Sequence, residues 1–92
     1  MIGMESRITQ SKRIAARVVD GKAVVVVIDT RALHTLNEVG TFVWEQLDER
    51  ERAVTDLVDA IEAAFEVDRD KASKDVMGFL NTMADLGAIE VS

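Results

Sequence analysis

The first strong pattern in the chain is a pair of apolar runs separated by a tight-turn signal. Residues 14–19 (Ile-Ala-Ala-Arg-Val-Val) and 23–28 (Ala-Val-Val-Val-Val-Ile) contain many β-branched side chains, which favour strands. Between them lies Asp20-Gly21, a dipeptide typical of a two-residue hairpin turn because both positions need positive φ. Residues 31–36 then alternate well enough to form a third strand. The pattern predicts a three-stranded antiparallel meander.

After residue 36 the apolar spacing changes from two to about 3.6, which indicates helices. Asn37 is a good N-cap for a first helix that runs to about Leu47. Thr55 is the expected cap of a second helix and Asp68 of a third. Gly87 is the expected stop of the third helix, because glycine readily takes the left-handed conformation that ends many helices. Residues 88–91 follow as a short closing strand.

These elements predict an α+β fold with a three-stranded antiparallel sheet, three helices and a short C-terminal strand. The last two helices and the closing strand are spaced like a helix-turn-helix with a small wing, so the fold is winged-helix-like. Residues 1–10 show no period, and we expect them to form a flexible N-terminal arm. Residues 11–92 are expected to form a single domain, because 92 residues are too few for two hydrophobic cores.

Composition restricts the class of protein further. The longest unbroken apolar run has six residues, at 23–28, whereas a membrane helix needs about 20. The first ten residues do not resemble a signal peptide, so a cytoplasmic protein is expected. The chain has no cysteine, which excludes disulfides, thiolate metal sites and cysteine nucleophiles.

Charge is unevenly distributed and argues against nucleic acid as the main partner. The net charge is −6, and residues 48–92 hold twelve acidic but only five basic side chains. A winged-helix DNA-binding protein is still an alternative, with Arg69, Lys71 and Lys74 at the start of its recognition helix. Three aspartates lie among them, at positions 68, 70 and 75, and weaken the positive field that phosphate binding requires.

Candidate chemistry is sparse, and we predict neither an enzyme nor a bound metal or cofactor. His34 is the only histidine, and a metal site needs three or four ligands. No serine lies in a nucleophile motif, and the five glycines are scattered rather than grouped into a phosphate loop. Asp56, Asp59 and Glu62 share one polar helix face, which we interpret as solvated.

The predicted sheet has an open edge, and this edge is the most informative feature for function. An edge strand presents unpaired N–H and C=O groups that another chain can complete. Beside this edge, the third helix offers candidates for a shallow groove, namely Met77, Gly78 and Asn81. The alternative is that Met77 belongs to the hydrophobic core. Gly78 costs the helix about 1 kcal/mol relative to alanine, which suggests close approach of another chain or of the third strand.

Three stretches resemble the PqqD-like family, also called RiPP recognition elements, where RiPPs are ribosomally made and post-translationally modified peptides. They are residues 25–30 (Val-Val-Val-Ile-Asp-Thr), residues 36–47 with Leu-Asn-Glu-Val-Gly followed by Val-Trp and Leu, and residues 75–89. The resemblance covers about residues 11–91, nearly the whole chain. The Leu-Asn-Glu-Val-Gly segment followed by Trp44 is the most specific part. Family members often have aromatic residues in the third strand, where this chain has Leu33-His34-Thr35.

The resemblance implies a non-catalytic peptide-binding module, or peptide chaperone. In such proteins the leader segment of a precursor peptide adds as an antiparallel strand in a cleft between the third strand and the third helix. The module then presents the peptide to a modifying enzyme, commonly a radical SAM protein in the PqqD branch. Transferred to this chain, the expected peptide-binding residues are Arg31, Leu33 and Thr35 on the strand, and Lys74, Met77, Gly78 and Asn81 on the helix.

A third hypothesis, beside peptide recognition and DNA binding, is a self-associating structural module. Two copies would pair through the open sheet edge, and the possible homodimer is compatible with peptide recognition because an unliganded edge can pair with itself.

Overall fold

The computed structural model describes residues 2–92, and within them it contains six strands and three helices. The strands and helices, in chain order, are β1 (Arg7–Gln10), β2 (Ile14–Val19), β3 (Lys22–Val27), β4 (Ala32–Thr35), α1 (Glu38–Gln46), β5 (Arg52–Ala53), α2 (Val54–Phe65), α3 (Arg69–Leu86) and β6 (Ile89–Val91). None of the helices described here is long and apolar enough to cross a membrane.

The predicted meander forms one antiparallel sheet in the order β2-β3-β4. Asp20 and Gly21 turn the first hairpin with φ of 53° and 79°, as the Asp-Gly signal predicts. β4 begins at Ala32, because Arg31 still belongs to the second turn: its φ is 61° and its N–H donates to the Val27 carbonyl at 2.7 Å. The predicted α+β fold with three antiparallel strands, three helices and a C-terminal strand is confirmed.

A second sheet, in the order β5-β1-β6, corrects the expectation of a flexible arm at residues 1–10. β1 is the central strand, paired antiparallel with both neighbours, and its Ile8 is fully buried. Arg7 and Ser92 exchange both backbone hydrogen bonds at 2.9 Å. Four-residue strands have little internal periodicity, and both partners of β1 are distant in sequence, β5 in mid-chain and β6 near residue 90. Local pattern therefore gave little sign of this strand.

The helix starts show two ways of satisfying free backbone N–H groups. Asn37 Oδ1 accepts from the Gly40 N–H at the start of α1, and Asp68 Oδ1 accepts from the Lys71 N–H at the start of α3, both at 2.8 Å. α2 begins one residue earlier than Thr55, without a side-chain cap. Its first N–H groups instead donate to the backbone carbonyls of residues 4 and 6.

The core lies between the inner face of the meander and the three helices. Ala23, Val25 and Val27 of β3 are buried there. The hydroxyl of Thr41, on α1, accepts the Ala23 N–H at 2.9 Å and donates to the Leu36 carbonyl at 3.4 Å. This buried hydroxyl fixes the meander on α1, and β4 consequently lies beside α3. The outer face of the meander remains open, with the Leu33 side chain 61% exposed.

Candidate functional site

β4 is an edge strand whose free side can accept another chain. In an antiparallel pair, residues alternate between exchanging hydrogen bonds with the neighbour and pointing away from it. The Leu36 N–H donates to the Ala23 carbonyl at 2.8 Å, which sets the phase of this alternation. With Val25 opposite His34 and Val26 opposite Leu33, the His34 backbone is directed to β3. The N–H and C=O groups of Leu33 and Thr35 therefore face the open edge.

A cleft of about 530 Å³ lies between this edge and α3. One wall comes from β4 and the start of α1, and the other from the face of α3 that repeats at intervals of four, three and four residues. The residues that line the cleft are His34, Thr35, Leu36, Asn37, Val39, Gly40, Lys71, Asp75, Gly78, Phe79, Thr82 and Met83.

The floor of the cleft depends on a close contact between α1 and α3. A Cβ placed on Gly40 would lie 3.1 Å from Phe79 Cε1 and 3.2 Å from Asn37 Oδ1. Gly40 therefore lets the Phe79 ring approach α1, while Asn37 caps the same turn. This explains in physical terms why the Leu-Asn-Glu-Val-Gly segment combines an N-cap and a glycine three residues apart.

Charges around α3 are largely compensated within the chain. Lys71 and Asp75 form a pair at 3.4 Å on the cleft wall. Arg69 donates to Asp59 at 2.6 Å and to Glu62 at 2.5 Å, and these two hydrogen bonds raise the pKa of the Arg69 guanidinium. Two of the three basic residues considered for a DNA-recognition helix are thus bound to carboxylates. This arrangement gives α3 little free positive charge for phosphate contacts.

The structure brings together only some of the residues expected at the peptide site. Thr35 and Gly78 line the cleft. Leu33 contributes main-chain groups to the open edge, but its side chain lies on the outer face of the sheet. Arg31 is exposed and precedes the strand, in the turn between β3 and β4. Gly78 has no heavy atom within 4 Å of a Cβ built on it, so packing inside the chain does not require glycine there.

Lys74, Met77 and Asn81 lie outside the cleft lining. Met77 and Asn81 follow the buried stripe of α3 by about 100°, and Lys74 lies on the solvent-facing side of the helix. The polar cleft residues of α3 precede the stripe by about 100°. Met77 is half-buried and packs against the core, in agreement with the core alternative. Lys74 and Asn81 are exposed.

Sequence reasoning missed most of the polar residues of the cleft, namely His34, Asn37, Lys71, Asp75 and Thr82. Three of these lie on α3, and two of the three, Asp75 and Thr82, are one residue beyond the predicted Lys74 and Asn81. Gly40 was the usable signal, because a glycine within a capped first turn indicates a close neighbour. Within residues 2–92, no three His, Asp or Glu side chains are grouped so as to hold a metal ion.

Comparison with solved structures finds the same fold in proteins bound to peptides. A structure described as TbiB1 in complex with the TbiA(beta) leader peptide is 29% identical, with a TM-score of 0.81 over 89% of this chain and 94% of that one. Another, described as lasso peptide synthetase B1 complexed with the leader peptide, is 17% identical, with a TM-score of 0.77 over 90% of this chain and 96% of that one. A search of curated protein sequences gives no match.

The family model for coenzyme PQQ synthesis protein D (PqqD) matches residues 22–89. This segment extends from the start of β3 to the start of β6, so it includes the β4 edge, all three helices and every residue that lines the cleft. The match covers well over half of the chain and confirms the resemblance found in the sequence: the chain belongs to the PqqD family.

Proposed function

We propose that this protein binds the leader segment of a ribosomal precursor peptide as an additional antiparallel strand on β4. The observation that carries the proposal is the open edge at Leu33 and Thr35 beside the cleft on α3. Strand addition of this kind obtains affinity from main-chain hydrogen bonds and specificity from pockets for alternate side chains. The leader peptides bound to the two similar structures support the proposal.

The chemistry of the cleft favours a peptide that alternates apolar and polar residues. Side chains on one face of an added strand would point toward α3, and those on the other face toward the solvent. Val39 and Phe79 offer apolar surface, while His34, Thr82 and the Lys71–Asp75 pair supply polar groups at the walls. An apolar anchor side chain above Phe79, flanked by hydrogen-bonding residues, would satisfy both kinds of surface.

We further propose that the module has no catalytic step of its own and presents the peptide to a modifying enzyme. The family resemblance favours a radical SAM protein as that enzyme. The name lasso peptide synthetase B1 of one similar structure makes a lasso-peptide enzyme the second candidate. Precursor peptides are made on ribosomes, so we place the encounter in the cytoplasm.

Proline substitutions in β4 test the strand-addition model directly. Leu33→Pro and Thr35→Pro each remove an N–H that faces the open edge and takes no part in the β3–β4 pairing. The leader peptide encoded beside the gene is expected to bind the unaltered protein with a micromolar Kd or better, about −8 kcal/mol. We expect each variant to bind at least about fivefold more weakly, since one net hydrogen bond contributes about 1 kcal/mol.

Ala16→Pro is the matched control, because Ala16 lies at the opposite edge of the same sheet. It should leave peptide affinity unchanged. Peptide titrations monitored through the amide chemical shifts of labelled protein would measure the affinity. The same spectra would show whether each variant is folded. Full affinity in both β4 variants, with the fold intact, would refute the proposal that the leader peptide pairs with β4.

A further inference from the structure

The other edge of the meander, β2, is also open, and five of its six residues are exposed. The Ile28 N–H donates to the Arg13 carbonyl at 3.0 Å, which sets the alternation along the β2–β3 pair. Ala15, Arg17 and Val19 are therefore bonded to β3. The backbone N–H and C=O groups of Ile14, Ala16 and Val18 face away from the sheet.

β2 extends beyond the helices that cover the rest of the inner face. Ala16 lies opposite Val25 and Val18 opposite Ala23, so both side chains point toward the helix side. They are nevertheless exposed, Val18 by 53%, above a space of about 510 Å³ that Trp44 and Asp48 also line. On the outer face Val19 is 49% exposed. Apart from Arg17 on the outer face, the side chains of β2 are all apolar, and an exposed edge of this composition favours pairing with another strand.

We propose that β2 pairs with β2 of a second copy of this chain, antiparallel about a two-fold axis at Ala16. Two meanders would then form one continuous six-stranded sheet in the order β4-β3-β2-β2-β3-β4. The pairing would cover the exposed edge and place Val18 of one copy opposite Ile14 of the other. The two β4 edges would remain free at the ends of the sheet, so this proposal does not depend on where the leader peptide binds.

Charge selects this register among those that the open backbone groups allow. Pairing of residues 14–18 about Ala16 leaves Lys12 of one copy just beyond the strand end that lies nearest the Asp20 turn of the other, twice by symmetry. A two-fold axis at Arg17 would place the two arginines directly opposite each other. An axis at Ala15 would place Arg13 opposite Arg17 at both ends. The Ala16 axis opposes no two like charges along the paired strands and leaves charges of opposite sign at their ends. This self-complementarity argues for a second copy as the occupant.

Single cysteine variants test the register, because the chain has no cysteine of its own. Directly opposed residues of a hydrogen-bonded antiparallel pair have Cα atoms about 5.5 Å apart, which suits a disulfide. Ala16→Cys is therefore expected to form a disulfide-linked dimer under mild oxidation. Ala15→Cys and Arg17→Cys should cross-link much more slowly, since neither residue faces its own copy about this axis. Faster cross-linking at 15 or 17, or at Thr35→Cys on the other edge, would overturn the proposal.

Sedimentation of the cysteine-free protein over a concentration series tests the association itself. Five paired residues per strand form a small contact beside the about 1,200–2,000 Å² of stable interfaces, so we expect a dimer that dissociates on dilution. Ala16→Pro removes an outward N–H without breaking the pairing to β3 and is expected to give a folded monomer. A monomer at about 1 mM protein, where even weak dimers with millimolar Kd are populated, would overturn the proposal.

Discussion

At the scale of single residues, Gly40 determines how deep the cleft can be. Its missing side chain lets the Phe79 ring lie against the first turn of α1, within 3.1 Å of where a Cβ would be. Gly78, on the other wall, faces open space. The two glycines therefore differ in what their missing side chains allow. Gly40 accommodates a neighbour inside the protein, while Gly78 leaves room on the cleft surface.

Replacing each glycine by alanine separates these two reasons. Both substitutions gain helix propensity, of up to about 1 kcal/mol in a helix interior. Gly40→Ala must also displace the Phe79 ring, and overpacking of this kind costs about 1–3 kcal/mol. We expect Gly78→Ala to raise the free energy of unfolding and Gly40→Ala to lower it, as measured by chemical denaturation. Equal stability of the two variants would contradict a role for the Gly40–Phe79 contact.

A second residue-scale prediction concerns the exposed pair Arg13–Asp29 beside the second turn of the meander. Two hydrogen bonds from the Arg13 guanidinium hold the pKa of the Asp29 carboxyl below its usual range. Because the folded-state pKa is lowered, the stabilisation is present at neutral pH and is lost as pH falls below about 4. A carboxyl-carbon NMR titration should show the low pKa, and Arg13→Gln should return it to its ordinary range.

At the scale of elements, the two flanks of α3 are equivalent in sequence but not in the fold. Each flank repeats at helical spacing and carries small or polar residues beside the buried stripe at Ala72, Val76 and Leu80. Helical period identifies the stripe, but only the position of β4 decides which flank borders the cleft. For this reason the open edge of the sheet could be predicted from the sequence, whereas the predicted helix residues Lys74, Met77 and Asn81 lie outside the cleft lining. Which residues contact the peptide stays a prediction.

A matched pair of substitutions tests which flank contacts the peptide. Thr82 lies on the cleft wall and Asn81 on the opposite flank, and both are exposed. Thr82→Trp should fill part of the cleft and lower leader affinity by about tenfold or more, which is about 1.4 kcal/mol. Asn81→Trp should leave the affinity unchanged. If Asn81→Trp weakens binding and Thr82→Trp does not, the peptide lies on the other flank.

Strong local signals explain why the meander and the helices could be predicted. The Asp-Gly turn, the β-branched runs and the caps at Asn37 and Asp68 all act within a few residues. β1 and β5 have four and two residues, and their pairing depends on contacts distant in sequence. Because its strands are distant in sequence, the second sheet could not be predicted from any single segment. It depends on tertiary packing.

At the scale of the whole molecule, β1 is an integral part of the domain. Its Ile8 is fully buried and its backbone is paired on both sides. Removal of residues 1–10 should therefore expose the β5 and β6 edges and open a hydrophobic cavity. Ile8→Ala alone should cost about 2–5 kcal/mol. Both variants are expected to lower the midpoint of urea unfolding, whereas Glu5→Ala, at an exposed position, should not. An unchanged midpoint of urea unfolding after truncation would instead support the prediction that residues 1–10 form a flexible arm.

The pairing of β1 with β6 also has a consequence for the order in which the chain folds. Arg7 and Ser92 can exchange their hydrogen bonds only once residue 92 has been synthesised, whereas the hairpins of the meander join neighbouring segments. Contacts between distant segments close a large loop and form slowly. On the ribosome, the meander with its two open edges therefore precedes the second sheet. The nascent chain then exposes apolar strands before its first strand has a partner, and this stage is where chaperones or early peptide binding would have the greatest effect on yield.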